Sequence, residues 1–204
     1  LPLKVTTIGV NVFENCSELT HVDMSQNCDL SFVSDFAFKN CIKLKKFAVS
    51  ENVTHIGKSA FEGDICLNDI KLAPVDKLEN ISWKLKTIGE KAFKDCIDLS
   101  IVKLPDSVIE ISMGAFENCS KIERFVINLN PAELVTIRAE AFKGLTSLKE
   151  FTIPYKLTSV GNNAFSGCSA LDNITINSGF LLENNTVSGI FKGITNLAQF
   201  KYLT

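Results

Sequence analysis

Residues 88–105 read Ile88-Gly89-Glu90-Lys91-Ala92-Phe93-Lys94-Asp95-Cys96-Ile97-Asp98-Leu99-Ser100-Ile101-Val102-Lys103-Leu104-Pro105, and residues 160–176 repeat the same grammar around Phe165. A motif that returns within one chain points to stacked structural units. Phe93 has counterparts at Phe13, Phe38, Phe61, Phe116, Phe142, Phe165 and Phe191, and the intervals in chain order are 25, 23, 32, 23, 26, 23 and 26 residues. The basic period is 23, and the longer intervals carry insertions.

Counting from each of these phenylalanines, the sixth residue onward is aliphatic in every copy, from Leu19 to Leu197. The ninth and eleventh residues are apolar pairs such as Val102 with Leu104, running from Val22 and Met24 to Phe200 and Tyr202. Apolar residues two apart, rich in β-branched and aromatic types, predict a short strand with one buried face. The fifth and eighth residues before the phenylalanine are aliphatic too, except Thr186 and Glu183 in the last copy. Gly9, Gly57, Gly89 and Gly161 stand four before it, where a chain reversal or close backbone approach excludes a side chain. Two residues after it stand Asn15, Asn40, Gly63, Asp95, Asn118, Gly144, Gly167 and Gly193. These types tolerate positive φ best, so each copy is predicted to hold a short helical turn closed by a left-handed residue.

One such unit cannot bury its own apolar edge, whereas stacked units share a continuous core. The expectation is an α/β solenoid of about eight repeats of 23–26 residues. Its main parallel sheet is built from the strands after each phenylalanine, with short helical turns and short second strands elsewhere. All 204 residues form a single domain in this reading, and Leu1-Pro2, spaced like Pro105 before Phe116, makes it a fragment of a longer array.

Written as I-G-x-x-A-F-x-x-C-x-x-L-x-x-I-x-I-P, the repeat resembles the BspA-like class of leucine-rich repeats across essentially the whole chain. The resemblance implies a right-handed leucine-rich-repeat solenoid. It also implies a cell-surface or secreted role in adhesion to matrix or cell-surface proteins, with no catalytic residues in the repeats. Asp64, Leu145 and Ile194 depart from the cysteine position, the second and eighth repeats are degenerate, and the third interval is long; such irregular places are where specificity is added.

The remaining chemistry is sparse. A formal charge of −2, from 21 basic and 23 acidic residues, gives no broad attraction to nucleic acid or anionic membrane. No run of eighteen apolar residues predicts membrane insertion in this segment. Cys16, Cys41, Cys96, Cys119 and Cys168 share one repeat position, where Leu145 also occurs, so they are expected to be buried structural thiols, while Cys28 and Cys66 lie off that row and are expected to be exposed. Parallel neighbours make poor disulfide geometry, and no C-x-x-C or histidine partner marks a metal site. His21 and His55 fall on different parts of the coil, no nucleophile converges on either, and no phosphate-binding glycine motif exists. No enzyme activity, cofactor or metal is expected.

The face to weigh is the outward side of the main sheet. Its rows contain Lys46, Asp69, Ile101, Arg124 and Glu150 at the eighth residue after each phenylalanine, and Lys71, Lys103, Val126 and Thr152 at the tenth. Lys71, Lys103 and Arg124 form a cationic rim around Ile101 and Val126, a mixture that suits a protein interface; a solvated sheet face with ordinary scatter is the plainer alternative. Trp83, in the long interval, either anchors a partner or folds back onto the core. Six N-x-[ST] sequons occur, at Asn15, Asn52, Asn80, Asn118, Asn173 and Asn184, and Asn173 is expected to project from this face. Three roles follow. The first is an adhesion module for a host matrix or cell-surface glycoprotein. The second is an intracellular interaction or inhibitor scaffold, which a signal peptide on the full gene argues against. The third is a lectin-like or peptidoglycan-binding module, which the absence of Trp, Tyr and Phe from the outward rows disfavours.

Overall fold

A computed structural model describes residues 4–23, 28–73, 82–127, 133–177, 194 and 198–203. The chain is a parallel-strand solenoid built from β1 (Thr7–Ile8), β2 (Phe32–Val33), β3 (Lys46–Ala48), β4 (His55–Ile56), β5 (Asp69–Lys71), β6 (Thr87–Ile88) and β7 (Ile101–Lys103). It continues through β8 (Glu110–Ile111), β9 (Arg124–Val126), β10 (Thr136–Ile137), β11 (Glu150–Ile153), β12 (Ser159–Val160), β13 (Asn173–Asn177) and β14 (Gln199–Leu203). Seven turns of the coil each place one two-residue strand in a seven-stranded sheet of order β1-β2-β4-β6-β8-β10-β12. Phe191, Leu197, Thr186, Glu183, Gly193, Met24, Leu1-Pro2, Asn80 and Asn184 lie outside the described residues.

The ladders anticipated from spacing form the core. Phe38, Phe61, Phe93, Phe116, Phe142 and Phe165 are wholly buried and stack ring on ring, with centroids 5.1–6.0 Å apart and planes within 23°. The aliphatic residues five before them, Ile8 to Val160, are buried along the seven-stranded sheet. From the other arm Phe47, Phe125 and Phe151 meet the stack edge-on or tilted. Offset and edge-to-face rings each add to the area they bury.

The helical turns are a correction: no helix forms among the described residues. The left-handed residue at plus two is present in all seven described turns, from Asn15 at φ 60° to Gly167 at 76°. A second left-handed residue stands two before the phenylalanine in the same turns, at Asn11, Phe36, Ser59, Lys91, Gly114, Glu140 and Asn163. A residue with positive φ cannot continue a right-handed helix, so two of them four residues apart leave no room for one. The backbone bonds to the next turn instead. Phe38 N–H donates to Ala60 C=O, Phe61 to Ala92, Phe93 to Ala115 and Phe116 to Ala141, each at 2.8 Å. Inter-turn bonding satisfies the amides that an internal helix would otherwise pair. Close stacking also explains the glycine at minus four, because a Cβ on Gly57 would lie 2.5 Å from the Asp35 backbone nitrogen.

The second correction concerns the sheets. The continuous sheet is the one made of short strands before each phenylalanine. The strands after it, expected to form the main sheet, divide into β3-β5, β7-β9 and β11-β13-β14, with His21 bridging to Lys46. The breaks fall between β5 and β7 and between β9 and β11, where the sequence carries its insertions after Leu72 and Ile127.

Candidate functional site

The outward rows point outward as the two-residue period requires. Lys46, Lys71, Ile101, Arg124 and Glu150 are exposed, while Asp69, Lys103, Val126 and Thr152 are half-buried. Between them Phe47, Ile70, Val102, Phe125 and Phe151 face the core.

The breaks decide which candidates meet. Ile101 pairs with Arg124 and Lys103 with Val126 across β7-β9, so these four form one patch. Lys46 and Asp69 pair across β3-β5 and approach to 3.9 Å as an ion pair, with Lys71 at the end of the same ladder. Glu150 and Thr152 belong to a third segment, in register with Asn173 and Thr175. The continuous cationic row is therefore three short pieces. Ile101, the first residue of β7 and the partner of Arg124, is 52% exposed. Arg124 has no ion-pair partner among the described residues.

Trp83 is half-buried and packs against the core. That is the fold-back alternative, and it leaves little of the ring to anchor a partner. Asn173 stands in the same outward row, in register with Glu150; it is half-buried, and its Oδ1 is buried without a hydrogen bond.

The cysteine row is nearly as expected. Cys41, Cys96, Cys119 and Cys168 are buried, and each thiol donates to the carbonyl of the phenylalanine one turn back, as Cys119 Sγ does to Phe93 O at 2.9 Å. Burial pushes the Cys41 and Cys168 thiols up to about 12 and raises Cys96 and Cys119 strongly as well, so they stay protonated and inert. Two expectations reverse. Cys16 is exposed because no described turn covers its outer flank, and Cys28 is buried, its thiol 3.6 Å from Val5 O. All seven are free thiols. In the native protein a thiol reagent is expected to modify Cys16 fast and the half-buried Cys66 more slowly, leaving five that react only after denaturation. Rapid modification of more than these two, counted by mass spectrometry, contradicts the burial pattern.

Asp64 occupies the cysteine row and is wholly buried, which removes it from any contact with a partner. Its Oδ1 accepts from Cys41 N–H at 2.8 Å and its Oδ2 has no partner. Burial, opposed only by that hydrogen bond, pushes the carboxyl up to about 9.

One feature of the turns escaped the sequence reading although its signal was present. The residue after each phenylalanine alternates in sign through Glu14, Lys39, Glu62, Lys94, Glu117 and Lys143. Lys39 bridges to Glu62 at 3.0 Å, and Lys94 and Lys143 both reach Glu117 at 3.1 Å. Burial raises the Glu117 carboxyl, but the hydrogen bonds from Lys94 and Lys143 outweigh it and hold it below the usual value. Alternating charge favours this stacking register over a slipped one.

Among the described residues no group of three or more His, Cys, Asp or Glu could hold a metal ion, and no helix is long and apolar enough to cross a membrane. A family model described as "BspA type Leucine rich repeat region" matches in 6 copies over residues 1–85 and 75–198. None of the curated proteins matches the chain. Among solved structures, a leucine-rich repeat protein from Bacteroides ovatus is 20% identical with a TM-score of 0.61, over 89% of this chain and 57% of its own. A leucine rich cell surface protein from Faecalibacterium prausnitzii is 24% identical with a TM-score of 0.54, over 78% of this chain and 48% of its own. The T. pallidum leucine rich repeat protein is 21% identical with a TM-score of 0.62, over 84% and 72%. The chain thus spans about half the length of the first two.

Proposed function

The chain belongs to the BspA-type leucine-rich-repeat family, and from that premise we propose that it is a non-catalytic recognition module of the cell surface or of a secreted protein, binding a protein partner through the outward face of β7 and β9. The observation that carries the reading is the patch of Ile101, Lys103, Arg124 and Val126. An isoleucine 52% exposed beside Arg124, with Val126 diagonal to it beside Lys103, interleaves two aliphatics and two cations on one small rigid face, the apolar and charged mixture of a protein interface. Stacked turns hold these side chains in place without an ordering cost on binding. The surface assignment draws on the Faecalibacterium relative, which is itself described as a cell surface protein. The free thiols fit an intracellular scaffold of the same fold equally well, and finding a signal peptide on the full gene would decide against that second reading.

The test is binding to immobilised matrix glycoproteins and to cell surfaces, with a Lys71→Glu, Lys103→Glu, Arg124→Glu variant alongside and circular dichroism confirming that both are folded. Saturable binding is expected for the native chain, weakened at least tenfold in the variant, as reversal of rim charges at an interface entails. Binding that survives the variant moves the interface off this face.

A further inference from the structure

The break between β9 and β11 is more than a missing pair of strands. In a parallel ladder the main-chain groups of successive residues point to alternate sides. Leu104 N–H donates to Val126 O at 3.0 Å and Arg124 N–H to Ser100 O at 3.5 Å, so Arg124 and Val126 turn their backbone toward β7. Phe125 and Ile127 therefore turn theirs toward β11. On the far side Asp172 and Asn173 N–H donate to Lys149 O at 3.1 and 3.2 Å, which leaves the backbone of Glu150 and Thr152 facing β9. A cleft of about 190 Å³ lies between the two edges, lined by Arg124, Phe125, Val126, Ile127, Glu150 and Thr152. Both lips carry N–H donors and C=O acceptors, and no strand pairing joins them.

The width selects what fits. The strands come within 8 Å between Cα atoms. A whole strand placed between them needs ~9.6 Å, twice the usual ~4.8 Å spacing, so strand addition is excluded. One oxygen that accepts from one lip and donates to the other widens a paired spacing by roughly 2.8 Å, to about 7.6 Å. A group that joins the lips must fit under that upper bound and must both donate and accept. A carboxylate only accepts and an ammonium only donates, and each is costly to bury beside its own kind of dipole. A hydroxyl meets both requirements. Arg124 and Glu150, exposed on opposite lips and without an ion pair to each other, add a donor and an acceptor at the mouth.

We propose that this cleft is a carbohydrate site, in which adjacent ring hydroxyls of a saccharide bridge the backbone edges of β9 and β11. The proposal deepens the recognition reading above and rests on it: the sugar is the glycan of a glycoprotein partner. Stacking on aromatic side chains plays no part, so the absence of aromatics from the outward rows does not count against it. Recognition runs through backbone groups that become available only where the ladder is broken.

The experiment follows the backbone amides of the ¹⁵N-labelled chain by NMR during titration with methyl glycosides of glucose, galactose, mannose and N-acetylglucosamine, and with tetrahydropyran, which has the ring without the hydroxyls. Saturable shifts confined to Phe125, Ile127, Glu150 and Thr152 with at least one glycoside, and none with tetrahydropyran, are expected. Arg124→Ala and Glu150→Ala, both at exposed positions, are each expected to weaken that binding about fivefold. Silence toward all four glycosides up to their solubility, or equal shifts with tetrahydropyran, overturns the site. Because this titration uses no partner protein, its failure leaves the β7-β9 interface standing. Glycoside binding by a chain that captures no glycoprotein keeps the cleft and removes the interface.

Discussion

Replacing Phe142 with alanine is expected to cost the fold about 3–5 kcal/mol, near the upper end of that range. The ring is wholly buried and touches four others: Phe116 and Phe165 in the stack, and Phe125 and Phe151 from the opposite arm. Truncation removes the aromatic contacts with the turn on each side and with Phe151 of its own turn, and leaves a cavity that stacked turns cannot close, because each is held to its neighbours by backbone hydrogen bonds such as Phe142 N–H to Ala164 C=O at 2.8 Å. Chemical denaturation followed by circular dichroism reads the loss, together with any separation of the transition into two steps as the stack divides at the weakened turn. Phe116 has three ring partners and is expected to lose somewhat less. A loss below about 1 kcal/mol at Phe142, the size of an ordinary surface effect, means that the turns do not share one core.

Asp64→Cys is expected to do the reverse and stabilise the chain by about 2–4 kcal/mol at neutral pH, since it removes a buried carboxyl with an unpartnered oxygen and restores the residue used by the adjacent turns. The effect has a pH signature. The folded value, about 9, lies above the ordinary 3.8, so the folded chain keeps a proton that the unfolded chain releases. Stability from this group is therefore greatest below pH ~4, falls as pH rises toward about 9, and then levels off. Glu62 and Glu117, where burial is outweighed by lysine hydrogen bonds, and Glu110, held down by Arg138, act oppositely. Their stabilisation is present above the ordinary 4.5 and is lost as pH falls through their lowered values. The native chain should then melt highest at mildly acidic pH and lose stability from pH 5 to 9, and Asp64→Cys should flatten that decline while leaving the acid limb in place. An unchanged slope in the variant means that Asp64 does not hold its proton.

The repeat was legible in the chain because burial and spacing are the same signal in a solenoid. Phe93, Leu99 and Val102 recur every 23 residues or so because every turn meets the same neighbours, and a residue that faces the core in one turn faces it in the next. The left-handed residue at plus two was legible for a similar reason, since asparagine, aspartate and glycine are chosen there by backbone geometry. Its partner at minus two was not. Phe36, Ser59, Lys91 and Glu140 hold positive φ without any matching side-chain preference, because the hydrogen bonds between turns impose that conformation on whatever residue is present. The helical turns expected from one left-handed residue were lost to the second.

The candidate face divides along the same line. Alternation along each strand determined that Lys46, Ile101, Arg124 and Glu150 point outward, and nothing beyond the two-residue period was needed. Which of them stand together was decided by strand pairing across the insertions, which broke one sheet into three and set Arg124 and Glu150 on opposite sides of a cleft. The sequence alone determined the repeat, the core ladders and the direction of each side chain, because those depend on period. The tertiary structure alone decided the broken sheet, the burial of Asp64 and Cys28 and the open backbone between β9 and β11, because those depend on how far neighbouring turns approach, a distance that no residue type records.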